Sequence, residues 1–245
     1  MGHIAKITAK VELPNPEGWD MEKEQFNLPF TVELKENIHS IGSPDIEIMK
    51  SGKIPNMNTV NKHYKIPFKN YSVFIFHPVT SELKSLENQI KNIIDALIES
   101  EKNYLIIYPN NDKGSGIIIK EFKRIEKNKK FKTYASIRFD YFLSILKNSD
   151  LVIGNSSVGI RESEIFEIPS IDIGSRQKNR SIHTDIIHVK PNKKEILDAI
   201  NKSKNKKIKC VDYFGTGIGT SKKFLKIIKN TKTWKINTQK QFKDL

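Results

Sequence analysis

The chain has 245 residues, 37% hydrophobic and 29% charged, enough for one large domain or two small ones with a substantial core. No apolar run is long enough to span a bilayer, the opening MGHIAKITAKVEL lacks a signal-peptide core, and a single cysteine, Cys210, excludes an internal disulfide or a cysteine metal cage, so a reducing cytoplasm is the expected compartment. The net charge of +14 is concentrated in residues 191–245, where 15 lysines face four acidic residues; they are spread over helical faces with little aromatic interleaving, which favours a solvated surface over a nucleic-acid contact.

Residues 1–37 read as an N-terminal extension of unknown role. LPNPEGW (13–19) is broken by two prolines and a glycine, and only AKITAKVEL and FTVEL pattern as strands. ENIHSIG (36–42) is read as the first strand of a sheet, with Asp45 near its exit. From Tyr71 onward strand and helix alternate. SVFIF (72–76) is a continuous apolar run, as befits a strand covered on both faces. Residues 81–100 place Leu83, Leu86, Ile90, Ile93, Ile94 and Leu97 at helical spacing, with Ser81 as the expected N-cap. YLIIY (104–108) is the next strand, and Gly114-Ser115 opens a helix through Ile118, Phe122 and Ile125. A strand at 131–134, a helix at 139–147 and a strand at 151–153 follow. The chain then breaks at Gly154-Asn155, turns through Ser156-Ser157 and is read as entering a helix near Val158. Strands at 170–173 and 186–189 and helices at 193–201 and 221–229 complete the pattern, ahead of a basic tail at 231–245. Such repetition predicts an α/β fold, a doubly wound parallel sheet over residues 38–230, with all strand carboxyl ends on one edge.

Four strand exits offer polar groups to that edge. The first carries His77, which can donate to a phosphate or act as acid or base. The second carries Asn110 in an ordinary polar turn. The third, Ser136-Ile137-Arg138, has backbone groups able to read a base edge. The fourth combines Ser156 and Ser157 with the N–H groups of a helix start, an anion site. Glu162, about one turn into that helix, is suited to ribose hydroxyls, and Arg176 lies just past the next strand. A capped helix after a buried strand accounts for the fourth exit equally well; the convergence of four exits favours a sugar nucleotide. Glu82 and Glu87 read as solvent-facing, Glu164 as lying on another helical face, and His183 and His188 as surface residues. Gly215-Thr216-Gly217-Ile218-Gly219 reads as a flexible lead-in to the last helix. No Ser-His-Asp set or metal cluster is legible.

On IGSPD (41–45), FHPVT (76–80), YPNNDKGS (108–115), IGNSSVGIRE (153–162) and IPSIDIGSRQKNR (168–180), the chain resembles the hydrolysing UDP-N-acetylglucosamine 2-epimerases of sialic and legionaminic acid synthesis. Order and spacing match over about residues 38–229. The resemblance implies the C-terminal, Rossmann-like half of a GT-B-type fold. It implies His77 at the phosphates as a phosphate-binding or acid–base group, Asn110 in the nucleotide pocket and Ile137 supporting uracil through its backbone. It further implies Ser156 and Ser157 at the pyrophosphate, Glu162 on the ribose, Arg176 in the same pocket and Gly42 near a domain hinge. The implied reaction eliminates UDP from UDP-N-acetylglucosamine or a 2,4-diacetamido analogue and then adds water, with no metal or redox cofactor. Residues 1–37 do not resemble the family's N-terminal domain, which carries the acid–base carboxylates, and elimination needs a base at C2. The chain alone is therefore expected to bind UDP without turnover, and a homo-oligomer or a partner supplying the missing domain is in keeping with that. Two alternatives stand: a non-catalytic UDP-binding module or subunit of a split enzyme, and a GT-B glycosyltransferase, against which FHPVT and the SRQ segment weigh.

Overall fold

The structure is a computed structural model that describes residues 30–32, 39–180, 184–204, 206, 208–212, 215–235 and 241–243. It divides into two compact units, residues 43–218 and residues 1–42 with 219–245. In the smaller unit, strand β1 (Phe30–Val32) pairs antiparallel with β8 (Gln241–Lys243), and helix α8 spans Thr220–Ile228. β1 falls within the expected FTVEL strand, whereas AKITAKVEL lies outside the described residues.

The larger unit is built on β2 (Ser72–Ile75), β3 (Tyr104–Ile107), β4 (Phe131–Tyr134), β5 (Leu151–Gly154), β6 (Ser170–Ile173) and β7 (Ile187–Val189). Every pairing is parallel, in the order β4-β3-β2-β5-β6-β7. The chain steps outward from β2 to β4, then returns to the other side of β2 as β5. That is the doubly wound order of dinucleotide folds, with its reversal between β2 and β5, and ligands of such sheets bind in the crevice where the order reverses.

Strand alternation divides the core in two. Phe74, Phe76, Ile106, Ile153 and Ile171 pack against α3 (Leu83–Glu99) and α7 (Lys193–Lys202) through Ile90, Ile94, Leu97, Ile196 and Ile200. Val73, Ile75, Leu105 and Val152 face Tyr141, Phe142 and Ile145 of α5 (Phe139–Lys147) and Val60 of α2 (Met57–Tyr64). A fully buried side chain of this kind contributes about 1.5–3 kcal/mol. α4 (Ser115–Phe122) completes the layer over β3 and β4.

Three expectations are corrected. Of the strand expected at 36–42, residues 36–38 lie outside the described residues and residues 39–42 carry no strand; among the described residues the parallel sheet begins at β2, and α1 (Pro44–Lys50) follows the segment. His39 and Ser40 are exposed and Gly42 has φ +85°, so this segment has neither the apolar density nor the backbone of a buried strand. Ser81 does not cap α3: Thr80–Glu82 forms a 3-10 turn and α3 starts at Leu83 with no side-chain cap. The helix expected near Val158 is split into a 3-10 turn at Ser157–Gly159 and a four-residue helix, α6 (Glu162–Ile165). The turn presses close on β6, since a Cβ on Gly159 would lie 2.6 Å from Ser170 Oγ. In the glycine-rich 215–219 segment a Cβ on Gly217 would come within 2.8 Å of Glu47 N. Among the described residues no helix is long and apolar enough to cross a membrane.

Candidate functional site

The reversal point is fastened by two residues at the end of β5. Gly154 has φ +137°, and a Cβ there would lie 1.9 Å from the Ile75 carbonyl oxygen, so only glycine lets β5 close on β2. Asn155, 1% exposed, comes next. Its backbone N–H donates to Ile75 O at 3.0 Å. Its side-chain Oδ1 accepts from His77 N–H at 2.7 Å, and its Nδ2 donates to His77 O at 2.8 Å. Its carbonyl accepts from Gln177 Nε2 at 2.8 Å and Arg176 Nη1 at 3.2 Å. One amide residue thus joins the exits of β2, β5 and β6. The sequence marks Asn155 only as a turn residue; nothing local announces that both ends of its amide are spent on another strand.

His77 and Asn110 meet as neighbouring exits. The Asn110 backbone N–H donates to His77 Nδ1 at 3.2 Å, and Asn110 Oδ1 lies 3.1 Å from the same nitrogen. We assign the neutral ring with its proton on Nε2, because Nδ1 accepts from the Asn110 N–H; that assignment turns the Asn110 carboxamide so that its NH2 takes the place of Oδ1 facing Nδ1. Burial, and secondly the charge of Arg176, hold the His77 pKa below the usual histidine value. The stabilisation from this neutral ring is present above a pH of about 6.5 and is lost as pH falls through the lowered folded-state value. An NMR titration is therefore expected to give His77 a midpoint below that of a free histidine, moving upward in Arg176→Gln. A midpoint at or above the free value would refute the neutral-donor assignment.

Ser156 and Ser157 begin the 3-10 turn, where Ser156 Oγ accepts from Val158 N–H at 3.4 Å. Their own backbone N–H groups have no acceptor among the described residues. The donors are those of a tight turn, and the dipole of a long helix is not behind them. Glu162 is 8% exposed, burial raises its pKa, and its Oε2 is a buried oxygen without a hydrogen-bond partner. Arg161, beside it, donates to Ser43 Oγ at 3.2 Å and lies 3.7 Å from Asp45, which ties the IGSPD segment to the IGNSSVGIRE segment. Arg176 is partly buried, and no carboxylate lies within ion-pair distance of it among the described residues; burial first, then Arg180, lower its pKa. Ile137 sits after β4, two strands from β2 and so roughly 10 Å along the sheet; its side chain packs on the Tyr141 cluster, and the Arg138 N–H donates to Tyr64 Oη at 2.9 Å. Gly42 belongs to the smaller unit, where a Cβ would lie 3.2 Å from Thr220 Oγ1.

Of the two carboxylates read as solvent-facing, Glu82 departs from that reading and Glu87 keeps it. Glu82, read as solvent-facing, is only partly exposed and accepts from Ser175 Oγ and from Gln89 Nε2, the latter at 3.0 Å. Glu87 is exposed, 3.7 Å from Lys120. Glu164 is buried and accepts from Val211 N–H at 2.8 Å. His188 keeps a half-exposed ring but contacts the buried Asp172 at 2.9 Å. His183 lies outside the described residues. No His, Cys, Asp or Glu group among the described residues is arranged to hold a metal ion.

The segments after β2, β5 and β6 thus carry a neutral histidine donor, unused backbone donors and an arginine with no ion-paired carboxylate among the described residues, and α6 carries a buried carboxylate oxygen without a hydrogen-bond partner. An anion next to a polyhydroxylated group would answer all four. Residues 20–229 match the family described as UDP-N-acetylglucosamine 2-epimerase. A UDP-N-acetylglucosamine 2-epimerase of Neisseria meningitidis is 39% identical over 216 residues, covering 87% of this chain and 57% of that protein. The hydrolysing UDP-N,N'-diacetylbacillosamine 2-epimerase of Legionella pneumophila is 28% identical over 199 residues, covering 80% and 52%. The Methanocaldococcus jannaschii UDP-GlcNAc 2-epimerase, solved in complex with UDP-GlcNAc and UDP, shares the fold with a TM-score of 0.60 at 19% identity, over 80% of this chain and 56% of that one. The chain thus spans about half the length of the curated relatives it matches.

Proposed function

The chain belongs to the UDP-N-acetylglucosamine 2-epimerase family, and we propose that it supplies that family's grip on the leaving group, a uridine diphosphate esterified to a 2-acetamido sugar. The observation that carries this is Arg176, a partly buried guanidinium that forms no ion pair with a carboxylate among the described residues and bonds to Asn155 O beside the neutral His77. In this reading the diphosphate lies across the β2–β5 reversal. The Ser156 and Ser157 N–H groups, Arg176 and His77 Nε2–H donate to its oxygens. Glu162 Oε2 accepts from the ribose hydroxyls, the Ile137 backbone meets the uracil edge, and Asn110 holds the His77 ring.

The chemistry assigned to these groups is stabilisation of negative charge as UDP departs in the elimination that precedes hydration. His77 retains its proton and acts as a hydrogen-bond donor. The base that takes the C2 proton belongs, in this reading, to the part of the relatives' length that the chain does not span, so a complete catalytic unit includes a second polypeptide segment. The family match favours the epimerase over the glycosyltransferase alternative.

Calorimetry with UDP tests the reading. Binding is expected, with Arg176→Ala and Glu162→Gln each weakening it by at least about tenfold, or about 1.4 kcal/mol. Absence of heat at millimolar UDP would overturn it. Glu162→Gln carries a second expected result. Because burial raises the Glu162 pKa, its ionised form opposes folding at neutral pH, and that penalty disappears as pH falls through the folded value. The unliganded variant should therefore melt above the parent at pH 7 while binding UDP less well. Release of N-acetylmannosamine from UDP-N-acetylglucosamine by the chain alone would refute the assignment of the base elsewhere.

A further inference from the structure

We propose that Glu82 is a positioning residue for the diphosphate, setting the Arg176 loop through Ser175 without itself touching the nucleotide. The proposal rests on the UDP-binding reading above. Glu82 ends the 3-10 turn after the His77 exit, where its carboxylate is held from below. Gln89, two turns along α3, donates to Glu82 Oε2 at 3.0 Å and to Ser85 Oγ at 2.9 Å, which fixes the direction of the carboxylate. The other oxygen, Oε1, accepts from the Ser175 hydroxyl, 93 residues further along the chain.

Ser175 begins the segment after β6. Gly174 N–H is already tied to Val189 O at 2.8 Å, and Gln177 Nε2 to Asn155 O at 2.8 Å. Ser175 and Arg176 lie between those anchors. The bond to Glu82 restrains the Ser175 side chain, and Arg176 follows it directly. Arg176 Nη1 spends one bond on Asn155 O at 3.2 Å, which directs the guanidinium along the β5 exit and leaves its other donors for an anion. Removing the Glu82 acceptor frees the Ser175 hydroxyl and lets the guanidinium sample orientations that miss the diphosphate. A misplacement of about 1 Å in a charged positioning group suffices for a large loss of binding or rate. A carboxylate near a phosphate site would ordinarily repel the ligand. Here both oxygens are engaged by neutral donors, and one of those donors is held by the loop that presents the arginine.

The test compares UDP with uridine, which has the same base and ribose and no phosphate, by NMR titration against the parent chain, Glu82→Ala, Ser175→Ala and the double variant. Glu82→Ala is expected to weaken UDP about tenfold while leaving uridine unchanged, and Ser175→Ala to match it. The double variant is expected to be no worse than either single, because one bond is being removed twice. Glu82→Gln, which keeps an oxygen for Ser175, should recover most of the loss. If the parent binds UDP and Glu82→Ala binds it equally well, the positioning role is wrong and the UDP site stands. Equal weakening of uridine and UDP would make Glu82 a structural residue and would also overturn the proposal. If the parent itself fails to bind UDP, the underlying reading fails first.

Discussion

Gly154→Ala is expected to lower the melting temperature by roughly 10 °C or more. The new methyl carbon would lie 1.9 Å from the Ile75 carbonyl oxygen, and φ there is +137°, so backbone strain and overlap act together. Strain at such a dihedral costs about 1–3 kcal/mol and overpacking about the same. Relief requires parting β5 from β2, the central pair of the sheet. A loss near 4 kcal/mol is a large share of the about 5–15 kcal/mol that stabilises a domain, and at this size each kcal/mol corresponds to about 2–4 °C. Differential scanning calorimetry gives the answer directly. A variant melting within 2–3 °C of the parent would mean that β5 has room to move and that the glycine is not required by the close approach.

The second large effect is expected at Asn155. Truncation to alanine leaves the His77 N–H and C=O without their partners, at a cost of about 1–3 kcal/mol for each buried group that water does not reach. The exits of β2 and β5 then part, and with them His77 and the Ser156 turn. A fall in denaturant midpoint worth about 2–4 kcal/mol should therefore accompany a loss of UDP affinity of at least about tenfold. Asn155→Asp separates the two effects. Its carboxylate still accepts from His77 N–H, but its second oxygen faces His77 O, and its charge lies beside the proposed diphosphate. It should weaken UDP more than alanine does. An Asn155→Ala protein with the parent's midpoint would show that this amide does not bear the weight assigned to it.

Much of the architecture was legible in the chain. Tyr104-Leu105-Ile106-Ile107 and Leu151-Val152-Ile153 are apolar throughout because both their faces are covered, and 139–147 has helical spacing because α5 buries Tyr141, Phe142 and Ile145 on one side. What escaped depends on tertiary contact. α1 and α2 bury only Ile46 and Met49, and Val60, too few for a visible period; the signal that was present is Asn56, whose side chain caps α2 at Thr59 N. The helix after Ser156 is split where Gly159 runs close to Ser170 Oγ, a neighbour met only when β6 folds alongside. Glu82 read as solvent-facing because its partner Ser175 is remote in sequence. His77, Asn110, Ser156, Ser157 and Arg176 could be gathered from strand exits alone, because parallel topology brings every exit to one edge.

The place of β5 in the sheet also bears on how the chain is made. Ser72 pairs with Leu151, 79 residues later, so β2, β3 and β4 leave the ribosome as a three-stranded half-sheet with one flank of β2 bare. At about 5–20 residues per second, that flank waits roughly 4–16 s for its neighbour. During this interval Val73, Phe74 and Ile75 form an apolar strand edge of the kind that pairs with other chains. Aggregation during synthesis should therefore be decided before residue 151 emerges, and a nascent chain halted near residue 135 is the species a chaperone would be expected to hold.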